Sequence, residues 1–248
     1  MSSSPGTSGS VAMSAEASAR EQRFVKNTDE SCRMFRYDWM ERLSRVHPLV
    51  PHILYVPLIT ALVWYSLASG ASARTVTGRF LLGVLLWTLV EYVIHRFVFH
   101  PSPEIEDDTR RVLRDLPAGA PAMAALPTWR HRFYFLVHGV HHDFPNDTRR
   151  LVMPPSVSIP LAVVFWLTFS LVFHAGLPAV FAGFVLGYLC YDTIHYLTHY
   201  GVRRTAIGRF LRRRHFRHHY FDPSKDFGVS SPLWDFLLGT LARRTAKH

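Results

Sequence analysis

Residues 177–199 read LPAVFAGFVLGYLCYDTIHYLTH, and the reading of this stretch decides the fold. From Leu177 to Leu197 the run is apolar, and its length is close to the ~20 residues a helix needs to cross a bilayer. It closes on His195 and His199, which are four apart and share one helix face. A membrane helix ending in a histidine pair reads as a scaffold that holds imidazoles at the membrane surface. The same association recurs along the chain. The run Phe80–Ile94 (FLLGVLLWTLVEYVI) leads into His95 and His100 of EYVIHRFVFH. HGVHH supplies His138, His141 and His142, and RRRHFRHH supplies His215, His218 and His219. Ten of the 15 histidines therefore fall into four short clusters.

Working outward, Val50–Ala68 carries no Asp, Glu, Lys or Arg, and its Pro51 and Pro57 are of a kind that membrane helices tolerate. Ser156–Phe173 is separated from Leu177–Leu197 only by His174, Ala175 and Gly176, a joint so short that the two runs form an antiparallel hairpin. The expected fold is an all-α integral membrane protein with four transmembrane helices and a histidine-rich dimetal site. Residues 46–248 form this membrane-embedded domain. Residues 1–45 precede it as a tail and an interfacial helix. Met1 to about Arg20 is rich in Ser, Ala and Gly with no apolar core, hence disordered and not a signal peptide, and Glu21–Arg45 is a mixed-charge helix. Pro101–Trp129 is a polar loop, acidic at first (Glu104, Glu106, Asp107, Asp108), with one helix.

Charge orients the chain. Four crossings leave only Ser69–Arg79 and the His174–Gly176 joint on one side. Nearly all Lys and Arg lie on the other, which the positive-inside tendency makes cytosolic. All four histidine clusters then meet on that face, in the endoplasmic reticulum or a bacterial inner membrane. The net charge of +10 suits an anionic membrane surface better than nucleic acid, because the cations flank long uncharged runs and no reading motif accompanies them. Cys32 and Cys190 provide neither a disulfide framework nor a cysteine zinc pattern, so metal chemistry falls to histidine.

Spacing supports ligation. In each His-x-x-His-His triplet the second and third rings lie three and four residues beyond the first, so each triplet can aim its rings one way. His95 and His100, five apart, are about 140° apart on an ideal helix and need a helix end or bend to converge. Neutral imidazole suits Fe, Zn, Cu and Ni. Ten rings are too many for one ion, and two ions with about five each is the natural count. Zinc would serve as a Lewis acid or clamp, whereas iron activates dioxygen and suits oxidation of an unactivated lipid C–H bond. Asp192, three before His195, and Glu91, four before His95, are candidates to orient those rings by accepting the other N–H; a helix–helix hydrogen bond or salt bridge is the alternative. Tyr191, Tyr196 and Tyr200 line a substrate path or form an interfacial belt. Asp143, Asp147, Asp222 and Asp226 read mostly as caps or surface charges, and Arg212–Arg214 as a solvated, headgroup-facing stripe. His47, His52, His131, His174 and His248 read as packed or hydrogen-bonded residues.

HRFVFH, HGVHHDFPNDTRRLVMPP, YDTIHYLTHYG and HFRHHYFDPSKDFGVSSPLWDFLLGT together resemble the fatty acid hydroxylase superfamily, which includes sterol desaturases, over about Val50 to Thr240. Arg150–Pro155 and Phe227–Phe236 are most similar to its sphingolipid fatty acid 2-hydroxylases. The resemblance implies four transmembrane helices with a cytosolic helical cap, a dimetal centre on the ten clustered histidines, and insertion of one oxygen atom of O2 beside the acyl carbonyl. It implies iron in action, with zinc able to occupy such sites in isolated protein. Met1–Arg45 is too short for the cytochrome b5-like domain of eukaryotic relatives and lacks its His-Pro-Gly-Gly signature. Electrons are therefore expected from a separate donor, cytochrome b5-like or a ferredoxin with its reductase. Two alternatives stay open: oxidation of a sterol, carotenoid or other lipid within the superfamily, and a non-catalytic zinc-binding membrane protein.

Overall fold

The computed structural model describes residues 31–201 and 205–242. The expected tail, the start of the expected interfacial helix, Arg203, Arg204 and His248 lie outside the described residues. Among the described residues every regular element is helical. In chain order these are α1 (Asp38–Leu43), α2 (Val50–Ala68), α3 (Ala73–Ile94), α4 (Pro103–Arg114), α5 (Ala122–Ala125), α6 (Trp129–Tyr134), α7 (Val140–Asp143), α8 (Pro155–Phe173), α9 (Leu177–Tyr200), α10 (Ala206–Tyr220) and α11 (Leu233–Leu237).

Three helical stretches are long and apolar enough to cross a membrane: Val50–Ala68, Ala73–Phe99 and the 53-residue Thr148–Tyr200. The sequence suggested four crossings, and the count differs because α8 and α9 join through a single 3₁₀ turn at His174–Gly176. The two helices run antiparallel. Phe165 packs at a tilt on Phe184, Trp166 meets Phe181 edge-on, and Phe169 contacts both Phe181 and Phe184. His174, with φ of 41°, provides the reversal.

α9 is the centre of the bundle. Its Phe181, Phe184, Val185, Tyr188 and Tyr191 pack with Tyr55 of α2 and Trp87 of α3 in one buried core. α3 and α9 approach backbone to backbone, for a Cβ on Gly183 would sit 1.9 Å from the Phe80 carbonyl oxygen and one on Gly83 1.9 Å from that of Val180. Small residues permit such contact where packing, rather than water exclusion, drives helix association. Gly183→Val is expected to force the pair apart and cost about 1–3 kcal/mol or more. Thermal unfolding in detergent, followed by tryptophan fluorescence, checks this, and an unchanged midpoint would show that the close approach is dispensable.

A second core, formed by Met34, Leu113, Ala122, Leu126, Phe135 and Val140, unites the N-terminal segment with the α4–α7 region. Of the expected helix over Glu21–Arg45, the described part is helical only at α1. The preceding segment has no regular structure, and the buried Glu41 carboxylate satisfies its Met34 and Phe35 amides, at 2.9 and 3.0 Å. The same carboxylate takes the Arg150 guanidinium, tying this segment to the loop before α8.

Candidate metal centre

The ten clustered histidines sort into two groups of five. One holds His95, His100, His138, His142 and His218, the other His141, His195, His199, His215 and His219; within each, the candidate ligand atoms all lie within 4.8 Å of one another. Each group contains the pair that ends a long apolar helix, an i,i+4 pair from a triplet and a single ring from the other triplet. The triplets thus split between the groups and do not aim all their rings one way. Adjacent residues on a helix differ by about 100°, so His141 and His142, like His218 and His219, point to different centres. His95 and His100 converge through a widened turn over His95–Phe99, in which the His100 amide donates to the His95 carbonyl five residues back at 3.2 Å. A second such turn over Phe135–Gly139 carries His138. Local π-turns of this kind are frequent at functional sites.

The ring nitrogens have the arrangement a cation requires. Nδ1 of His95 donates to the Phe227 carbonyl, Nδ1 of His195 to that of Leu151 at 2.8 Å, and Nδ1 of His218 to that of Lys225 at 2.7 Å. His100 Nδ1 lies 3.0 Å from the Glu106 carboxylate. An imidazole protonated on Nδ1 presents a lone pair on Nε2. These Nε2 atoms face other Nε2 atoms: His100 to His218 at 3.0 Å, His195 to His141 at 2.8 Å, His95 to His138 at 3.2 Å. Lone pairs crowded so closely repel unless a positive ion lies among them. With metal–imidazole bonds of about 2.0–2.1 Å, ligands on neighbouring corners of a coordination shell lie about 3 Å apart. The donor set therefore fits two metal ions, one per group.

Burial keeps these rings in their ligating form. Desolvation, with a smaller push from Arg110, holds His100 down at about 3 against an ordinary 6.5. Desolvation likewise holds His218 at about 3, with His100 adding to it. His100 is neutral, and its contact with Glu106 is a hydrogen bond and not an ion pair.

Glu91 and Asp192 do not accept from the histidines they precede, because backbone carbonyls occupy those ring nitrogens. Glu91 accepts from the Ser230 amide at 2.8 Å and from its hydroxyl. Asp192 accepts from the Met153 amide at 3.2 Å and from the Tyr188 hydroxyl at 2.8 Å. The acidic residues near the triplets are more than surface charges. Asp143, Asp147 and Asp226 are buried, pairing with Arg110, Arg150 and the Arg214/Arg217 pair respectively, while Asp222 caps a turn through Ser224. The Arg212–Arg214 run also departs from a solvated stripe. Arg213 is exposed, Arg212 donates to the His199 carbonyl at 3.0 Å, and Arg214 is buried between Asp226 and Asp235. Of the tyrosines, Tyr191 is buried beside His195, whereas Tyr196 and Tyr200 stack on each other. His52 bonds to Thr193 and His131 to Thr128.

Glu106 was legible only as part of an acidic loop. The missed signal is its place on the inner face of α4, beside Ile105, one turn before Thr109 and two before Leu113, all buried. The carbonyls of Phe227, Leu151 and Lys225 left no signal, since backbone atoms carry none.

A cavity of about 710 Å³ opens against the centre. Its walls are almost wholly apolar, with Tyr55, Trp87 and Phe184 from the bundle and Trp39 and Leu43 from α1, and they include His138 of the first group and His141 and His195 of the second. The cavity therefore borders both groups of five.

The sequence model of the fatty acid hydroxylase family matches residues 80–240. The chain is 30% identical to the dihydroceramide fatty acyl 2-hydroxylase FAH1 of Arabidopsis thaliana over 86% of its own length and 81% of that relative. It is 32% identical to the fatty acid 2-hydroxylase of Homo sapiens, covering 84% of this chain and 56% of the longer human protein. In structure it is similar to full-length scs7p, of which only the hydroxylase domain is visible, with a TM-score of 0.70, 31% identity, and coverage of 84% of this chain and 71% of that one.

Proposed function

This chain belongs to the fatty acid hydroxylase family, and on that premise we propose that it hydroxylates the carbon beside the carbonyl of a fatty acyl chain, in a sphingolipid or a free fatty acid. One atom of O2 enters the C–H bond and the other leaves as water, with two protons and two electrons consumed. The electrons come from a separate donor, a cytochrome b5-like protein or a ferredoxin with its reductase, since histidine side chains supply none. The observation that carries the reading is the contact of an apolar cavity with both five-histidine groups.

The ten histidines hold two metal ions in this reading. Iron bound there supplies redox activation of dioxygen, which zinc does not. The protein's own part is placement. Tyr55, Trp87 and Phe184 hold the acyl chain in extension and exclude water, and His138, His141 and His195 border the place where its oxidised carbon lies. Trp39 and Leu43, both largely exposed on α1, form an apolar lip through which a lipid enters sideways. The 53-residue stretch folds back at His174–Gly176 and crosses twice, making four crossings with the centre under a cytosolic cap, as the excess of Lys and Arg on that side supports.

The test is the lipid profile of cells expressing the wild type against His218→Ala, read by mass spectrometry. Acyl chains heavier by one oxygen atom, with the hydroxyl beside the carbonyl and absent in the variant, are expected. A hydroxyl elsewhere would move the substrate to a sister branch of the family. No oxidised lipid, with reductant supplied and metal bound, would favour a structural zinc protein.

A further inference from the structure

Two segments singled out by the sequence, Arg150–Pro155 and Phe227–Phe236, carry the Leu151 and Phe227 carbonyls. The irregular parts of these segments, 151–154 and 227–232, form straps beside the long helices, and each strap offers a carbonyl that accepts from one ring: Leu151 from His195, Phe227 from His95. These are the ring-anchoring contacts on the two long apolar helices that carry histidine pairs, one in each group of five. Each strap is in turn gripped by a carboxylate on the same helix as the ring it supports. On α3, Glu91 takes the Ser230 amide on one oxygen and the Ser230 hydroxyl on the other. Asp235 takes the amides of Phe227 and Gly228 at 2.9 and 2.8 Å, so three amides of this strap are held by two buried carboxylates. On α9, both oxygens of Asp192 face the Met153 amide, two residues beyond Leu151.

We propose that Glu91 and Asp192 are positioning residues that act on the metal centre through these straps. Each carboxylate fixes a loop whose carbonyl holds one imidazole in the Nδ1–H form, with Nε2 aimed into its group of five. Partners one shell out from a metal ligand typically change affinity 10–100-fold. The arrangement assigns one carboxylate to each ion: Glu91 to the group of His95, Asp192 to the group of His195. It also explains why irregular backbone lies against apolar helices at this depth. Its amides are satisfied by carboxylates, which an apolar surrounding makes obligatory.

The inference rests on the two-ion reading, and the experiment separates the two. Wild type, Glu91→Ala, Glu91→Gln, Asp192→Ala and Asp192→Asn are purified in detergent and loaded with zinc. Zinc per chain and the rate of its loss to a chelator are then measured. In Glu91→Ala one of two ions is expected to leave at least ~10-fold faster while the other keeps the wild-type rate; Asp192→Ala does the same to the other ion. On a His218→Ala background, which impairs the first group, Glu91→Ala adds nothing, whereas Asp192→Ala releases the remaining ion. Asp192→Asn keeps an acceptor for Met153 and restores retention relative to Asp192→Ala. Glu91→Gln, with one acceptor oxygen where the two Ser230 donors each occupy one, loses its ion faster than wild type. Wild-type loss rates in both alanine variants or in Glu91→Gln, or Asp192→Asn as poor as Asp192→Ala, would overturn the positioning role. A wild type that binds no zinc would instead remove the metal reading beneath it.

Discussion

Arg214→Ala is expected to destabilise the protein by about 3–5 kcal/mol, the cost of leaving buried charge without its partner. Arg214 projects from α10 into the interior, where its guanidinium lies 2.7 Å from Asp235 and 3.3 Å from Asp226. Both carboxylates are essentially inaccessible, at 0% and 1% exposure, so water cannot replace the lost cation. Arg217 remains on Asp226 at 2.6 Å, but Asp235 has no second ion-pair partner among the described residues. Asp235 also organises its surroundings, accepting from the Phe227 and Gly228 amides and from the Thr240 hydroxyl at 2.7 Å. Loss of Arg214 therefore loosens the strap that anchors His95 and, through Asp226, the turn whose Lys225 carbonyl anchors His218. The destabilisation is a large part of the roughly 5–15 kcal/mol that folded proteins possess. Chemical unfolding in detergent and zinc content measure the two effects together. Arg214→Lys should recover little of either, because a point charge does not bridge two carboxylates as a planar fork does. Wild-type unfolding with alanine at this position would show that Asp226 and Asp235 do not depend on Arg214.

The metal-free protein is expected to lose stability as pH falls below neutrality, and metal is expected to protect it. Outside the membrane-spanning helices, burial lowers His100 and His218 from an ordinary 6.5 to about 3 and lowers His138, His141, His142, His215 and His219 well below the ordinary value. The unfolded chain takes up protons at these rings below about 6.5, while the folded chain stays neutral until far lower pH. Acid therefore favours unfolding through this window, and the stability is present in full only above the unfolded value. Seven such rings make the dependence steep. A bound metal stabilises the folded form by mass action until protons compete for the nitrogens. Thermal midpoints of chelator-treated and zinc-loaded protein between about pH 7 and pH 5 test this. A flat midpoint for the metal-free form would mean that the centre opens and hydrates once its ions are gone.

The sequence by itself determined the helical class, the apolar runs and the identity of the ten histidines, because these rest on local rules. An apolar run of about 20 residues has few other uses, and spacings of three and four are periodicities of the helix itself. The tight joint at His174–Gly176 was legible for the same reason. Tertiary structure alone decided how the histidines divide, since His141 and His142 are neighbours in the chain and yet belong to different groups. It also decided what supports them. Phe227 reaches His95 across 132 positions and Leu151 reaches His195 across 44, through backbone carbonyls that every residue possesses. Charged side chains were misread where the fold buries them. Arg214 and Asp226 look like surface residues in a basic tail, and only the packing of α10 against the segment that follows it brings them together out of water. Desolvation depends on the whole fold, so no local pattern of residues records it.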